Sequence, residues 1–150
     1  MRWTKTESAV ETRALAAVFA KTLDAKAPHP LIVALEGELG SGKTTFIQGL
    51  ASALGVKKRL LSPTFLLMRS YPLPRARSGY RKLYHLDAYR FRRAEETETI
   101  ALQDILREPG NIVLIEWAGN IRGALPKNAV KIEFRHGRTE NERMIAATDK

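Results

Sequence analysis

The chain of 150 residues contains no cysteine, which excludes a disulfide scaffold and thiolate metal sites. Its three histidines, His29, His85 and His136, show no metal-ligand spacing, so nothing suggests a zinc centre. No apolar run approaches the roughly 18 residues of a membrane-spanning helix. The N-terminal stretch MRWTKTESAVE also lacks the apolar core of a secretory leader, and the expectation is a cytoplasmic protein. Internal repeats and low-complexity segments are missing as well. What is there is a 44% hydrophobic composition over a length that suits one domain, residues 1–150, around a single core.

Acidic residues are scarce in one place. From Lys57 to Arg93 there are eleven Lys and Arg against the single acid Asp87, a local balance of +10. The rest of the chain, with fourteen basic and fifteen acidic residues, is close to neutral, although the whole carries +9. A charge run is often no more than a solvated face. The functional alternative is an electrostatic footprint for RNA or for an acidic protein surface. Tyr71, Tyr80 and Tyr84 lie among these charges, where tyrosines in strands serve as ordinary sheet residues.

The segment LIVALEGELGSGKTTF, Leu31 to Phe46, meets the pattern G-x-x-x-x-G-K-[ST] through Gly37, Gly42, Lys43 and Thr44. An apolar strand-like run precedes it, and Phe46, Ile47, Leu50 and Leu54 follow at helical spacing. Each position has a physical task. The glycines let successive amide N–H groups converge on a β-phosphate. Lys43 brings a point charge to the β- and γ-phosphates, Thr44 offers a hydroxyl to Mg²⁺, and the helix start adds its unpaired N–H groups. Glu38, Leu39, Gly40, Ser41, Gly42, Lys43, Thr44 and Thr45 are therefore the expected nucleotide cradle.

Ser8 to Glu11 forms a capping box that opens an amphipathic helix with Leu15, Val18, Phe19 and Leu23 on its apolar face, ending before Pro28. The Leu31–Glu36 strand, the phosphate loop and a helix from Lys43 to Leu54, closed by Gly55, come next. Phe65–Tyr71 and Tyr80–His85 read as strands joined by PLPRARSG, a connection expected to be mobile. Ile100–Leu106 reads as a short helix and Ile112–Trp117 as a buried strand. Val130–Arg135 with Arg143–Ala147 reads as a terminal hairpin around His136–Asn141. The predicted fold class is α/β: a P-loop NTPase-like single domain, with a mixed, mostly parallel sheet, helices on both faces and a C-terminal hairpin.

A phosphate loop needs a carboxylate partner, because Mg²⁺ takes oxygen ligands from phosphates, the loop hydroxyl and an acid. Two candidates end apolar strands: Glu116 in NIVLIEW and Asp87 in LYHLDAYRF. The preferred division puts Glu116 on the metal and Asp87 on the metal shell or the attacking water.

GELGSGKTTF, LSPTF, LYHLDAYRF and IVLIEW, in this order and spacing, resemble the TsaE (YjeE) family of bacterial P-loop ATPases that act in threonylcarbamoyl modification of tRNA. The resemblance runs over most of the chain. It implies a switch-like role for Thr64 of S-P-T, counted with Lys43 and Asp87 as catalytic, and a place beside the nucleotide for Trp117, where contact with base or ribose is expected. It also implies that Thr12 lies near the nucleobase and Arg143 near the nucleotide. ATP and Mg²⁺ are the implied cofactors, and the TsaD and TsaB proteins the implied partners, with the 57–93 segment meeting a partner or tRNA. Departures accompany the likeness. The family's acidic residue, leucine and glycine appear as Glu38, Leu39 and Gly40, with a longer acid. After Trp117 stand Ala118, Gly119 and Asn120, where the family continues with proline, glutamate and arginine. This puts a cation in doubt that Arg122 is a candidate to supply. Ile100-Ala101 stands where the family has leucine-glycine, which is expected to be a change of packing only.

The reading that follows is an ATPase, weak on its own and stimulated by partners, that supports a tRNA-modifying assembly. A small-molecule kinase would use the same loop with an arginine-rich lid from Arg75–Arg93, and a nucleotide-switched binding module would hydrolyse little. Without an N-K-x-D or an L-S-G-G-Q sequence, a GTPase and an ABC-type ATPase are disfavoured.

Overall fold

The computed structural model describes residues 2–23, 29–61, 63, 66–74 and 79–148. Among the described residues seven strands form one sheet: β1 (Thr4–Thr6), β2 (Leu31–Gly37), β3 (Met68–Pro72), β4 (Lys82–Asp87), β5 (Asn111–Glu116), β6 (Val130–His136) and β7 (Arg143–Ala147). Their order is β1-β7-β6-β2-β5-β4-β3. The inner four, β6, β2, β5 and β4, run parallel. The remaining three pair antiparallel at the two sides.

Two-residue alternation decides what each face buries. Val33, Leu35, Leu83, Ile112, Leu114, Ile132 and Phe134 pack against helices α1 (Ala9–Lys21) and α2 (Lys43–Ala53). Ile32, Ala34, Leu86, Val113 and Ile115 face the other way. They pack onto residues of the 3₁₀ turn Ala118–Ala124, onto Phe91 and onto the short helix α3 (Leu102–Ile105). Central strands buried on both faces read as continuous apolar runs, which is why β2 and β5 were legible as strands. Truncating one of their leucines, such as Leu114, would cost about 2–5 kcal/mol.

In α2, Phe46, Ile47, Leu50 and Ala51 lie on the core side. The helix closes as expected: Val56 N–H donates to Ala51 O and Gly55 N–H to Ser52 O, both at 3.0 Å. Gly49 lies where α1 crosses, and a Cβ there would meet the Arg13 backbone at 2.6 Å. That close crossing turns α1 so that small Thr12 and Ala16 are its buried residues, with Leu15 and Phe19 half-buried. Val18, expected on the apolar face, is exposed. The capping box forms: Ser8 Oγ accepts the Glu11 N–H at 3.1 Å and the Glu11 carboxylate accepts the Glu7 N–H at 2.8 Å.

Other elements shift from expectation. The strands read as Phe65–Tyr71 and Tyr80–His85 are Met68–Pro72 and Lys82–Asp87, with Phe65 outside the described residues. Residues 75–78 of the connection expected to be mobile also lie outside them. The helix read at Ile100–Leu106 is only Leu102–Ile105, preceded by a 3₁₀ turn, Ala94–Ile100. The break is Ala101, whose φ of 50° and ψ of 38° are left-handed. The alanine in place of the family's glycine is therefore a backbone strain and not a packing change. Strand β1 was not anticipated; its three residues TKT carry no apolar signal, and only pairing with β7 makes them a strand.

Candidate functional site

The four parallel strands deliver their carboxyl ends to one edge of the sheet. From one side to the other that edge presents Asp87 (β4), Glu116 (β5), Gly37 (β2) and His136 (β6), and then Arg143, which pairs with His136 at the start of β7. Ligands in open α/β sheets bind along such an edge. Parity settles which side each acid takes. Glu116 follows Ile112 and Leu114, and Asp87 follows Leu83 and His85, so both carboxylates lie on the α2 face. They are also direct neighbours, because Asp87 pairs with Glu116 in the β4–β5 register.

Between β2 and α2 the chain makes the glycine-rich loop. Gly42 is the residue before the helix, and its φ of 101° is open to glycine but strained for residues with a Cβ. No side chain caps α2, so the first-turn N–H groups and the positive end of the helix dipole are left for a ligand. Ser41 Oγ, buried in the loop, has no hydrogen-bond partner among the described residues. The Lys43 ammonium donates to Gly37 O at 2.7 Å and Glu38 O at 2.8 Å, and lies 4.3 Å from the centre of the Trp117 ring. Burial pushes this ammonium below its ordinary 10.5, while Glu116 and Asp87 pull it partly back.

Thr44, in the first turn, donates its hydroxyl to Glu116, whose two oxygens lie 3.1 Å away. One of them, Oε1, also lies 2.8 Å from His85 Nε2. Asp87 Oδ1 accepts the Tyr89 N–H at 3.0 Å. Trp117 has left-handed φ of 58° and takes the edge of Tyr89 at 5.1 Å between ring centres.

These groups line one cavity of about 530 Å³, within the usual range for small-molecule sites. It takes in Thr12, Leu39, Gly40, Ser41, Gly42, Lys43, Thr44, Thr45, Asp87, Glu116, Trp117 and Arg143 from the sequence reading. Glu38 is the exception within the cradle. Its carbonyl receives Lys43, but its residue lines an adjoining hollow behind Trp117. Thr64 lies outside the described residues. Trp117 lines the same cavity as Thr12 and Arg143, with its ring 4.3 Å from the Lys43 ammonium. Arg122 does not line the cavity and instead stands 3.8 Å from Glu36.

The hydroxyl of Thr12 is already engaged. It donates to Ser8 O at 3.1 Å and lies 2.8 Å from Thr6 Oγ1, which ties α1 to β1 and leaves Thr12 to form wall. Arg143 packs its stem beside Gly42 and spends Nη1 on the carbonyls of Glu140 and Glu142. Sequence reasoning missed Ser8, Ala9, Tyr89 and Asn141, which also line the cavity, and His85 behind Glu116. Tyr89 alone was signalled, by its place two residues after Asp87.

The basic segment is split by the fold. Arg81 precedes β4 and Lys82 opens it, the first pairing with Glu108 and the second lying 4.9 Å over the Tyr84 ring. Arg92 and Arg93 follow β4 at the opposite, site-bearing edge and are exposed. Six strand residues separate the two groups by roughly 17 Å. Tyr71 and Tyr80 are buried core residues.

Fold and site together define a single α/β domain with a glycine-rich, lysine-bearing loop at an uncapped helix start, facing strand-end carboxylates. The chain belongs to the family described as threonylcarbamoyl adenosine biosynthesis protein TsaE, whose model matches residues 6–145. It is 35% identical to the tRNA threonylcarbamoyladenosine biosynthesis protein TsaE of Bacillus subtilis, over 99% of this chain and 85% of that protein. The TsaE protein of Treponema pallidum is 36% identical over 69% of this chain and 72% of its own length. A crystal structure of YdiB from Bacillus subtilis superposes with a TM-score of 0.73 at 30% identity, covering 96% of this chain and 82% of that one.

Proposed function

We propose that the chain binds ATP with Mg²⁺ in this cavity and hydrolyses it slowly, in support of the biosynthesis of threonylcarbamoyladenosine in tRNA. The pathway comes from the family; the nucleotide chemistry rests on the site. The observation that carries it is the convergence on one cavity of an uncapped helix start, the Lys43 ammonium and the Thr44–Glu116 pair.

A hydroxyl beside a carboxylate is an all-oxygen donor set. It suits a hard cation that takes its other ligands from phosphates and water. Thr44 and Glu116 would hold Mg²⁺, which would neutralise charge on the β- and γ-oxygens. The chain's own residues do the rest. Loop and helix N–H groups orient the phosphates, and Lys43 exchanges its two carbonyl acceptors for phosphate oxygens. Asp87, next to Glu116 and oriented by the Tyr89 N–H, accepts a proton from the attacking water. Among the described residues, Lys43 and Arg143 are the lining cations, and Arg143 is partly occupied by backbone carbonyls. So sparse a positive lining predicts slow turnover, with the missing charge supplied by an assembled partner.

By the same family reading the partners are TsaD and TsaB, tRNA meets the assembly, and the setting is the cytoplasm. No helix among the described residues is long and apolar enough to cross a membrane. The kinase alternative wants an arginine lid, but no described Lys or Arg of the 57–93 segment lines the cavity. The deciding experiment measures ATP hydrolysis by the purified chain with and without TsaD, TsaB and tRNA. Slow turnover that rises on assembly is expected, whereas phosphoryl transfer to a small acceptor without partners would favour the kinase.

A further inference from the structure

We propose that His85 is a positioning residue that holds the Glu116 carboxylate against Thr44 and away from Lys43. This rests on the reading of the cavity as a site for ATP with Mg²⁺, and it assigns work to a residue in which neither the loop pattern nor metal-ligand spacing showed a role.

His85 is fully buried in β4, between Leu83 and Leu86 of the core. It lies on the same sheet face as Glu116, two residues before Asp87. Its Nε2 is 2.8 Å from Glu116 Oε1, while its Nδ1 is buried with no hydrogen-bond partner among the described residues. A carboxylate only accepts, so Nε2 carries the proton of this bond.

A core position gains nothing in stability from a ring nitrogen left unpaired; an apolar side chain would fill the space without that cost. What the imidazole adds is orientation. Glu116 has two competing partners on one side of the sheet, the Thr44 hydroxyl and the Lys43 ammonium, whose charge it feels. Released from His85, the carboxylate is free to turn toward Lys43, which would remove an oxygen from the Thr44 site and tie up the charge needed by phosphate. Pinned through Oε1, it keeps both oxygens 3.1 Å from the Thr44 hydroxyl. The His–carboxylate bond thus keeps Lys43 and Glu116 apart as separate tools.

The test is calorimetry of ATP binding, in Mg²⁺ and in EDTA, on the wild type, His85→Leu and His85→Gln, with thermal melts as the folding check. In His85→Leu the gain in affinity that Mg²⁺ confers should fall about tenfold, the usual size of an outer-shell effect, with a smaller loss in EDTA, where only the diversion of Lys43 is felt. In His85→Gln, whose amide N–H reaches the place of Nε2, most of the gain should return. Nitrogen-15 NMR of the wild-type imidazole should show the Nε2–H tautomer. A full Mg²⁺ gain in His85→Leu would overturn the proposal, as would equal loss in Mg²⁺ and EDTA or an Nδ1–H tautomer. Should His85→Leu fail to fold, His85→Gln and the tautomer decide: a retained gain with Nε2–H upholds it, and either failing sinks it. A wild type without ATP affinity, or without any Mg²⁺ gain, marks a different failure, that of the nucleotide reading on which this rests.

Discussion

Replacing Lys43 tests the site at its centre. The residue is only 4% exposed, and its ammonium has two carbonyl acceptors and the Trp117 face. Moving to a triphosphate would exchange those two neutral acceptors for charged phosphate oxygens, so only the difference counts toward affinity. Bonds between charged groups are about twice as strong as neutral ones, and a bond to one charged group contributes about 1.5–3 kcal/mol. The net loss on removing the ammonium is therefore roughly 2–3 kcal/mol, a weakening of ATP binding by about 30- to 150-fold. Stability should change little, because removing the two hydrogen bonds to Gly37 O and Glu38 O is offset by relief of the burial that lowers the Lys43 pKa. Lys43→Ala removes the charge and exposes the Trp117 face; Lys43→Met keeps the stem over the ring. Calorimetry gives the affinities, and Trp117 fluorescence follows the same event optically. Both variants should bind ATP weakly while melting near the wild type. Unchanged ATP affinity in a folded Lys43→Met would refute the placement of phosphate at this loop.

Glu116→Gln and Asp87→Asn should each lower partner-stimulated ATP turnover at least tenfold, about 1.4 kcal/mol of transition-state stabilisation, with a smaller effect on ATP binding in EDTA; wild-type rates in both would remove the carboxylates from the chemistry. Ala101→Gly should stabilise the fold. Relief of the left-handed strain, about 1–2 kcal/mol, exceeds the added backbone freedom of about 0.4–1 kcal/mol, leaving roughly 0.5–1 kcal/mol, or about 1–4 °C in Tm. A lower Tm would show that the strain is illusory. Neutralising Arg92 and Arg93, at the site-bearing edge, should weaken association with the partner proteins or tRNA and flatten its salt dependence. Neutralising Arg81 and Lys82 at the far end of β4 should do so less, and equal effects in a salt-series titration would contradict the split geometry.

The parts of the fold legible in the sequence are those whose signal is local. Leu31–Leu35 and Ile112–Ile115 are apolar on both faces, so their burial does not depend on knowing their neighbours. The phosphate loop is likewise written in consecutive residues, from the φ of Gly42 to the helix periodicity of Phe46, Ile47 and Leu50. Val18 and Ala101 show the limit. The face of α1 is set by a glycine 36 positions later, on α2, and the conformation of Ala101 by the turn that docks Leu102 into the core. Neither constraint is visible in the pattern of apolar residues around it.

The site divides the same way. Lys43, Thr44, Asp87 and Glu116 were readable because each stands at the end of a strand or the start of a helix, where local pattern and chemical need coincide. Ser8, Ala9 and Asn141 were not, since only the antiparallel turn from β6 into β7, and β1 beyond it, carry α1 and residue 141 to the rim. His85 was unreadable for another reason. Its partner is 31 residues away, and only the β4–β5 register, with Asp87 opposite Glu116, brings the imidazole to that carboxylate. The strand order also gives the cavity a direction. Carboxylates and Lys43 gather on the β4–β5 side, and Thr12, Asn141 and Arg143 on the β7–α1 side. A triphosphate whose terminal phosphate meets the carboxylates must therefore lay its nucleoside toward α1. On the proposed reading Trp117, its ring 4.3 Å from the Lys43 ammonium, stands beside the phosphates, and the wall built by α1 and the start of β7 faces the base.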